Sequence, residues 1–498
     1  MRTGKKALLT SISKSVKHVS VFLLSILLAR YLSLDDYGTY IQVMLIANTA
    51  IYLFLMGIPS SVYFFLVRVK DKKKFLHRTI LIIHLLALLA AAIGYFANEQ
   101  IAASMNNPRL SDFTLIYILF ILFQIPIKLY EPTMISSDRI KNFIWINLTF
   151  NSLFFFAVAI PLVWLKDIAA IFVWLSVFFA VQYIVIYASI IRVYFKLDED
   201  QTVNEYPEDL SLVAQLKYSL PIGTSGAISE VSRIVDKIIV SGYFNPAQLA
   251  IYNRGAMEIP MLNVIINSLG NILMPKFVSA YADKDHDAII RYWHSSIIII
   301  AFAVYPSMVF LISTSDILIP LLFSDKFLPS VIIFQLYSVT FLTRVTTYDS
   351  IIRAVGKTGS LLRVTIISIG LNIILTVILI ELIGIVGAVI ATIFVNFIIC
   401  SELLRIIKNM LGIHFYEVFP WSRLLRILVV SLLSAIPVFV YRYSMASGIY
   451  IVDFLATGTV FSIAFLLINR KINLLEEMEV NALDSVLPRK LLRIIAPS

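Results

Sequence analysis

A chain of 498 residues that is 59% hydrophobic and only 14% charged carries more apolar surface than a soluble fold can hide, since globular chains hold about 25% charged residues. Each bilayer crossing takes about 20 mainly apolar residues, so this chain can supply about fourteen spans and has little left for a soluble domain. Most enzyme classes are thereby excluded, and the formal charge of +10 reads as membrane topology rather than affinity for nucleic acid.

The amino terminus is basic and then apolar, like a signal peptide, but no small-x-small cleavage site follows, so it reads as a retained first span. Runs long enough to cross follow at 16–34, 40–57, 79–97, 113–130, 144–165 and 168–191. A charged stretch, KLDEDQTVNEYPEDL, interrupts them. They resume at 218–244, 249–274, 294–312, 331–348, 364–383, 386–404, 424–441 and 449–468. Lipid leaves an open sheet edge unpaired, so the predicted architecture is all-α. The expected organisation is a six-helix bundle over 1–196, a cytoplasmic linker over 197–217, a second six-helix bundle over 218–410, and a terminal helix pair with a tail over 411–498.

Basic residues test this count. With the amino terminus in the cytoplasm, the connections assigned outside hold only Arg30, Arg109, Lys166, Lys326 and Arg442, while the inside ones carry clusters such as Arg68 to Arg78 and Arg470 to Arg493. Both termini are therefore expected in the cytoplasm. Cys400 is the single cysteine, which excludes an internal disulfide and a Cys-built metal site. No HExxH or CxxC motif occurs either, so neither metal nor cofactor is expected.

An internal repeat lays Tyr31–Tyr40 over Tyr243–Tyr252, each segment leaving the first span of its half. Parallel halves of this kind build alternating-access transporters. ARYLSLDDYGTY after the first span, LMGIPSSV closing the second, RIVDKIIVSGYFNPAQLAIYNRG across the seventh and eighth, and LIGIVGAVIAT opening the twelfth resemble the polysaccharide-transporter branch of the MOP flippase superfamily, which includes the O-antigen flippases. The resemblance implies two six-helix bundles around a central cavity in a bacterial inner membrane. It also implies transfer of an undecaprenyl-diphosphate-linked oligosaccharide, such as a lipopolysaccharide O-antigen unit, to the periplasmic leaflet, alongside polymerase and export proteins. MATE drug exporters and lipid II flippases share the superfamily.

Charges inside spans are costly and usually face a cavity. On one continuous seventh helix, Gly223, Gly226, Glu230, Arg233, Lys237 and Ser241 would share an arc of roughly 80°, with Asp236 beyond its edge. One reading is a self-neutralising network of i, i+3 pairs. The other gives Arg233 and Lys237 the diphosphate headgroup, joined by Lys17 and His18 of the first span and Arg254 of the eighth, with Glu230, Asp236 or Glu258 exchanging H+ or Na+. Lys14 and Lys17 also fit snorkelling anchors. Arg254 and Glu258 are spaced for an internal pair. His84 reads as a satisfied core histidine, and Asn263, Asn267 and Asn271 as an interhelical hydrogen-bonding face.

Two other functions stay open at this point. A drug or cation antiporter would want an acidic cavity, and a membrane glycan polymerase or ligase would want a long outside loop bearing Arg or His. The basic first span argues against the antiporter, and no outside loop is long or rich in Arg or His.

Overall fold

The computed structural model describes residues 3–197, 211–258 and 260–484. Every element among them is helical. The chain divides into two compact units, Met1–Ala250 and Ile251–Ser498.

The first unit contains α1 (Thr3–Tyr31), α2 (Leu34–Phe54), α3 (Ile58–Phe65), α4 (Lys72–Phe96), α5 (Asn98–Ser104), α6 (Thr114–Ile127), α7 (Tyr130–Ser136), α8 (Ile140–Leu165), α9 (Ile168–Tyr194), α10 (Leu212–Ser232) and α11 (Val235–Tyr243). Polar caps start several of these apolar helices: Ser33 Oγ accepts from Asp36 N, Asp71 from Lys74 N and Asp167 from Ala170 N. Such caps satisfy amides that helix geometry leaves unpaired. Within the unit α1 packs on α8, α4 and α9 on α6, and α10 on α2 and α3.

Next, α12 (Pro246–Gly255) runs across the division. The second unit continues with α13 (Pro260–Ala282), α14 (His286–Ser313), α15 (Ser315–Phe323), α16 (Ser330–Ser338), α17 (Tyr348–Ala354), α18 (Thr358–Ile383), α19 (Ile385–Leu411), α20 (Phe415–Val418), α21 (Trp421–Met445), α22 (Tyr450–Ile472) and α23 (Glu477–Asp484). Its core is built around α14, whose Trp293, Ile297, Ala301 and Val304 are fully buried. On that helix pack α13 and α21, with α22 beside α21.

Among the described residues, nine helices are long and apolar enough to cross a membrane, and the bent pair α2–α3 makes a tenth candidate. Their outer surfaces are apolar, with Trp164 and Leu382 82% and 70% exposed, as lipid-facing helices require. This is a polytopic helical membrane protein. Each apolar run read from the sequence coincides with a helix or a pair of helices. Of the remaining runs, the first lies in α1; the seventh breaks between Ser232 and Val235; the eighth breaks between Gly255 and Pro260; and the tenth passes from α16 through a short 3-10 turn to an irregular stretch before α17.

The second run also extends past its predicted end at Gly57. The chain turns at Leu55–Gly57 and continues as α3, bent by 43°. Gly57 takes a left-handed conformation there, with φ +70, which glycine adopts without steric cost. The division at Ala250 places the seventh run beside the amino-terminal helices, whereas the repeat groups it with the second half.

Candidate functional site

The seventh run does not form the continuous stripe expected of it. After Ser232 the amides of Arg233 and Ile234 bond to the carbonyls of Glu230 and Val231 (3.1 and 3.0 Å). That tight turn of i, i+3 bonds offsets α11 from α10. The 100° periodicity therefore cannot be carried from Gly223 to Ser241. Glu230 and Arg233 do pair, at 3.7 Å, with the Arg233 side chain 74% exposed. Asp236 and Ser241 fall on the other side of the turn and are buried, while Lys237 is half-buried. Tyr52 of α2 lies within electrostatic reach of both Glu230 and Arg233.

The eighth run departs in the same way. Arg254 and Glu258, spaced for an internal pair or for substrate contact on one continuous helix, are separated by the end of α12 at Gly255. Glu258 meets Arg344 at 2.9 Å. The Arg254 guanidinium sits 5.2 Å from the Phe323 ring centre, a cation–π distance. Arg344 was missed as a partner because it lies 86 residues further along a chain whose local spacing already offered Arg254.

Lys17 and His18 are exposed on α1. Lys128, at the junction of α6 and α7, lies within electrostatic reach of Lys17 and Glu131, and Tyr63 of α3 within reach of Glu131. Lys128 was not singled out from sequence, although a lysine two residues after Pro126 in an apolar run is the available signal, since proline loosens a helix where it sits. The first unit thus gathers Lys17, Lys128 and Glu131 in one group and Tyr52, Glu230 and Arg233 in another.

His84 is satisfied within the protein. Its Nδ1 donates to the Ile80 carbonyl (2.7 Å) and its Nε2 meets the Tyr183 hydroxyl (2.8 Å). Among the described residues no group of three or more His, Cys, Asp or Glu side chains comes together as a metal site would require. The side chains of Lys14, Asn263, Asn267 and Asn271 lie outside the described residues, as does most of the 197–217 linker.

This architecture is a fold already seen in solved membrane proteins. The structure is similar to a lipid II flippase, MurJ, in an inward closed conformation, with a TM-score of 0.70 at 19% identity over 93% of this chain and 99% of that one. It is also similar to an inward-facing multidrug resistance MATE transporter, with a TM-score of 0.61 at 9% identity over 82% of this chain and 98% of that one. No curated protein matches the sequence. The chain belongs to the polysaccharide biosynthesis protein family, which matches residues 27–332.

Proposed function

We propose that this protein is a flippase that moves an undecaprenyl-diphosphate-linked oligosaccharide, a repeat unit of O-antigen or another surface polysaccharide, from the cytoplasmic to the periplasmic leaflet of a bacterial inner membrane. About fourteen spans form two six-helix bundles and a terminal pair, with both termini cytoplasmic. The observation that carries this reading is the Arg233–Glu230 pair. It stands exposed at a helix break, ten residues before the end of α11, in a chain of a polysaccharide biosynthesis family. An exposed arginine at membrane depth would cost about 2.5–3.5 kcal/mol against lipid on insertion scales, so it faces water or a polar ligand.

The barrier to flipping is desolvation of the headgroup. Each sugar hydroxyl or phosphate oxygen left unpaired in hydrocarbon costs several kcal/mol, and a hydrated polar path removes that cost while the polyprenyl tail stays in lipid. In this scheme Lys17, His18, Arg233, Lys237 and Arg254 attract the diphosphate. Glu230, Asp236 or Glu258 takes up H+ or Na+ to drive the return. No bond is made or broken, and the polymerase and export proteins act on the delivered product.

The test is a deletion strain complemented with wild-type, Arg233→Ala or Lys237→Ala protein. Loss of the gene is expected to leave lipid-linked glycan on the cytoplasmic side, and each substitution to restore export only weakly. Full export with both substitutions combined would remove the headgroup role. Normal export in the deletion strain would remove the flippase reading itself.

A further inference from the structure

The terminal pair α21–α22 carries cations that the transport scheme does not use. The two helices pack against each other and are joined by the short stretch 446–449, so they run antiparallel. Arg426 lies 19 residues before the end of α21 at Met445, and Arg470 lies 20 residues after the start of α22 at Tyr450. At ~1.5 Å of rise per residue the two reach nearly the same depth on neighbouring helices. Lys471 follows directly, and all three residues are exposed.

This end of the pair lies near the level of the lipid headgroups. Phe415, Tyr416 and Trp421 are exposed there, and Trp and Tyr favour the membrane–water interface. Arg426 is set roughly one and a half turns further into α21, between the exposed Leu425 and Val429, and Arg470 stands between the exposed Leu467 and Ile472. A guanidinium among lipid-facing apolar residues is costly unless its side chain reaches back to an anion at the interface. The acids that follow α22 do not supply that anion. Glu479 and Glu476 are held by Arg423 at 2.9 and 3.4 Å. Among the described residues no carboxylate pairs with Arg426, Arg470 or Lys471.

We propose that Arg426, Arg470 and Lys471 form a headgroup site for an anionic diacyl phospholipid, whose phosphodiester takes the place of the missing carboxylate. Guanidinium groups hold phosphate oxygens through paired N–H donors, and packed helices with axes about 8–10 Å apart let one phosphate be reached from both. A zwitterionic lipid brings its own ammonium to the phosphate, so an anionic lipid complements three cations better. A sugar-bearing diphosphate fits poorly, because Leu425, Val429, Leu467 and Ile472 around the two arginines offer its hydroxyls no hydrogen bonds. In the topology proposed above, the lipid comes from the cytoplasmic leaflet, whose anionic lipids attract juxtamembrane cations. The site requires only that the pair spans the membrane and is independent of the flippase reading.

Full-length protein, delipidated in detergent, is titrated with phosphatidylglycerol or phosphatidylcholine, and the first bound lipid is followed by native mass spectrometry. Wild-type protein is expected to prefer phosphatidylglycerol. Arg426→Gln and Arg470→Gln are each expected to weaken that complex about fivefold and to leave phosphatidylcholine binding unchanged, and both changes combined with Lys471→Gln to abolish the preference. Arg405→Gln, near the end of α19 but paired with Glu402 at 3.1 Å, is the control and should behave as wild type. Equal affinity of the wild type for the two lipids, or a preference that survives the triple substitution, would overturn the site. Displacement of phosphatidylglycerol by millimolar glycerol phosphate would assign the cations to a soluble anion, and tighter binding of undecaprenyl phosphate would assign them to a polyprenyl lipid; either overturns it too. If the triple variant does not fold, the single variants decide: unchanged phosphatidylglycerol affinity in both sinks the proposal.

Discussion

At the scale of single residues, the membrane-embedded charges and amides are settled by pairing, and the partners are distant in sequence. Arg423, near the start of α21, shows this. It donates from Nη1 and Nη2 to the two oxygens of Glu479 at 3.0 and 2.9 Å, and the Glu479 side chain is only 2% exposed. Glu479 also accepts from the Glu476 amide at 2.8 Å. A bidentate arginine–carboxylate pair gains from geometry as well as charge, but losing one partner strands the other in a dry site. Arg423→Ala is expected to destabilise by about 3 kcal/mol because the Glu479 carboxylate is left uncompensated. Glu479→Gln should cost less, since an amide can still accept from the arginine. Thermal unfolding of detergent-purified protein orders the two, and equal melting temperatures would show that the pair carries no such burden. The carboxylate was readable in the sequence only as one of several acids near the carboxyl end, because nothing local marks which acid a fold buries.

At the scale of elements, broken helices recur where the sequence shows uninterrupted apolar runs. Three signals were available: Gly57 after Met56, the polar sequence around Glu230 and Arg233, and the Arg254–Pro260 segment. Hydropathy averages over a window and passes across such points. A break is set instead by what packs beside it, as Gly57 and Gly223 show. Gly57→Ala and Gly223→Ala are each expected to reduce folded yield, because the added methyl would meet backbone at 2.2 Å and Gly57 would also hold a left-handed φ, a strain of order 1–3 kcal/mol. Gly226 is the internal control, with nothing within 4 Å of a Cβ. Gly226→Ala should stabilise α10 by about 0.5–1 kcal/mol through helix propensity alone. Fluorescence-detected chromatography of the three variants checks the contrast, and similar loss at all three positions would refute the close-approach argument.

At the scale of the whole molecule, the terminal pair α21–α22 is joined to the second unit at both ends. Arg442 bonds Asp316 and the Ser313 carbonyl at the end of α14, and Tyr450 donates to Asp325 at 2.8 Å. At the opposite end the Arg423–Glu479 pair clasps α23 to the start of α21, while Leu474 and Leu475 are buried in the same core as Trp293. Along the length between, Ile427, Val430 and Val438 are buried in that core too. A chain truncated before Trp421 is therefore expected to aggregate on extraction rather than survive as a smaller transporter. Monodisperse truncated protein on size-exclusion chromatography would show the pair to be an appendage.

Composition and charge by themselves determined that this is a multi-pass helical protein and where its apolar stretches fall; the resemblance to the flippases was carried by short segments such as ARYLSLDDYGTY and LMGIPSSV. Those properties are sums over neighbouring residues: lipid rewards every apolar side chain in a run, and a helix is the local way to pair the backbone of that run. The tertiary structure decided where the helices break, that Glu258 meets Arg344, that Lys128 joins Lys17, and that the seventh run lies against α2 and α3. Each is a contact between residues far apart in the chain. An ionised or hydrogen-bonding group buried away from water takes whichever partner three-dimensional packing brings within reach.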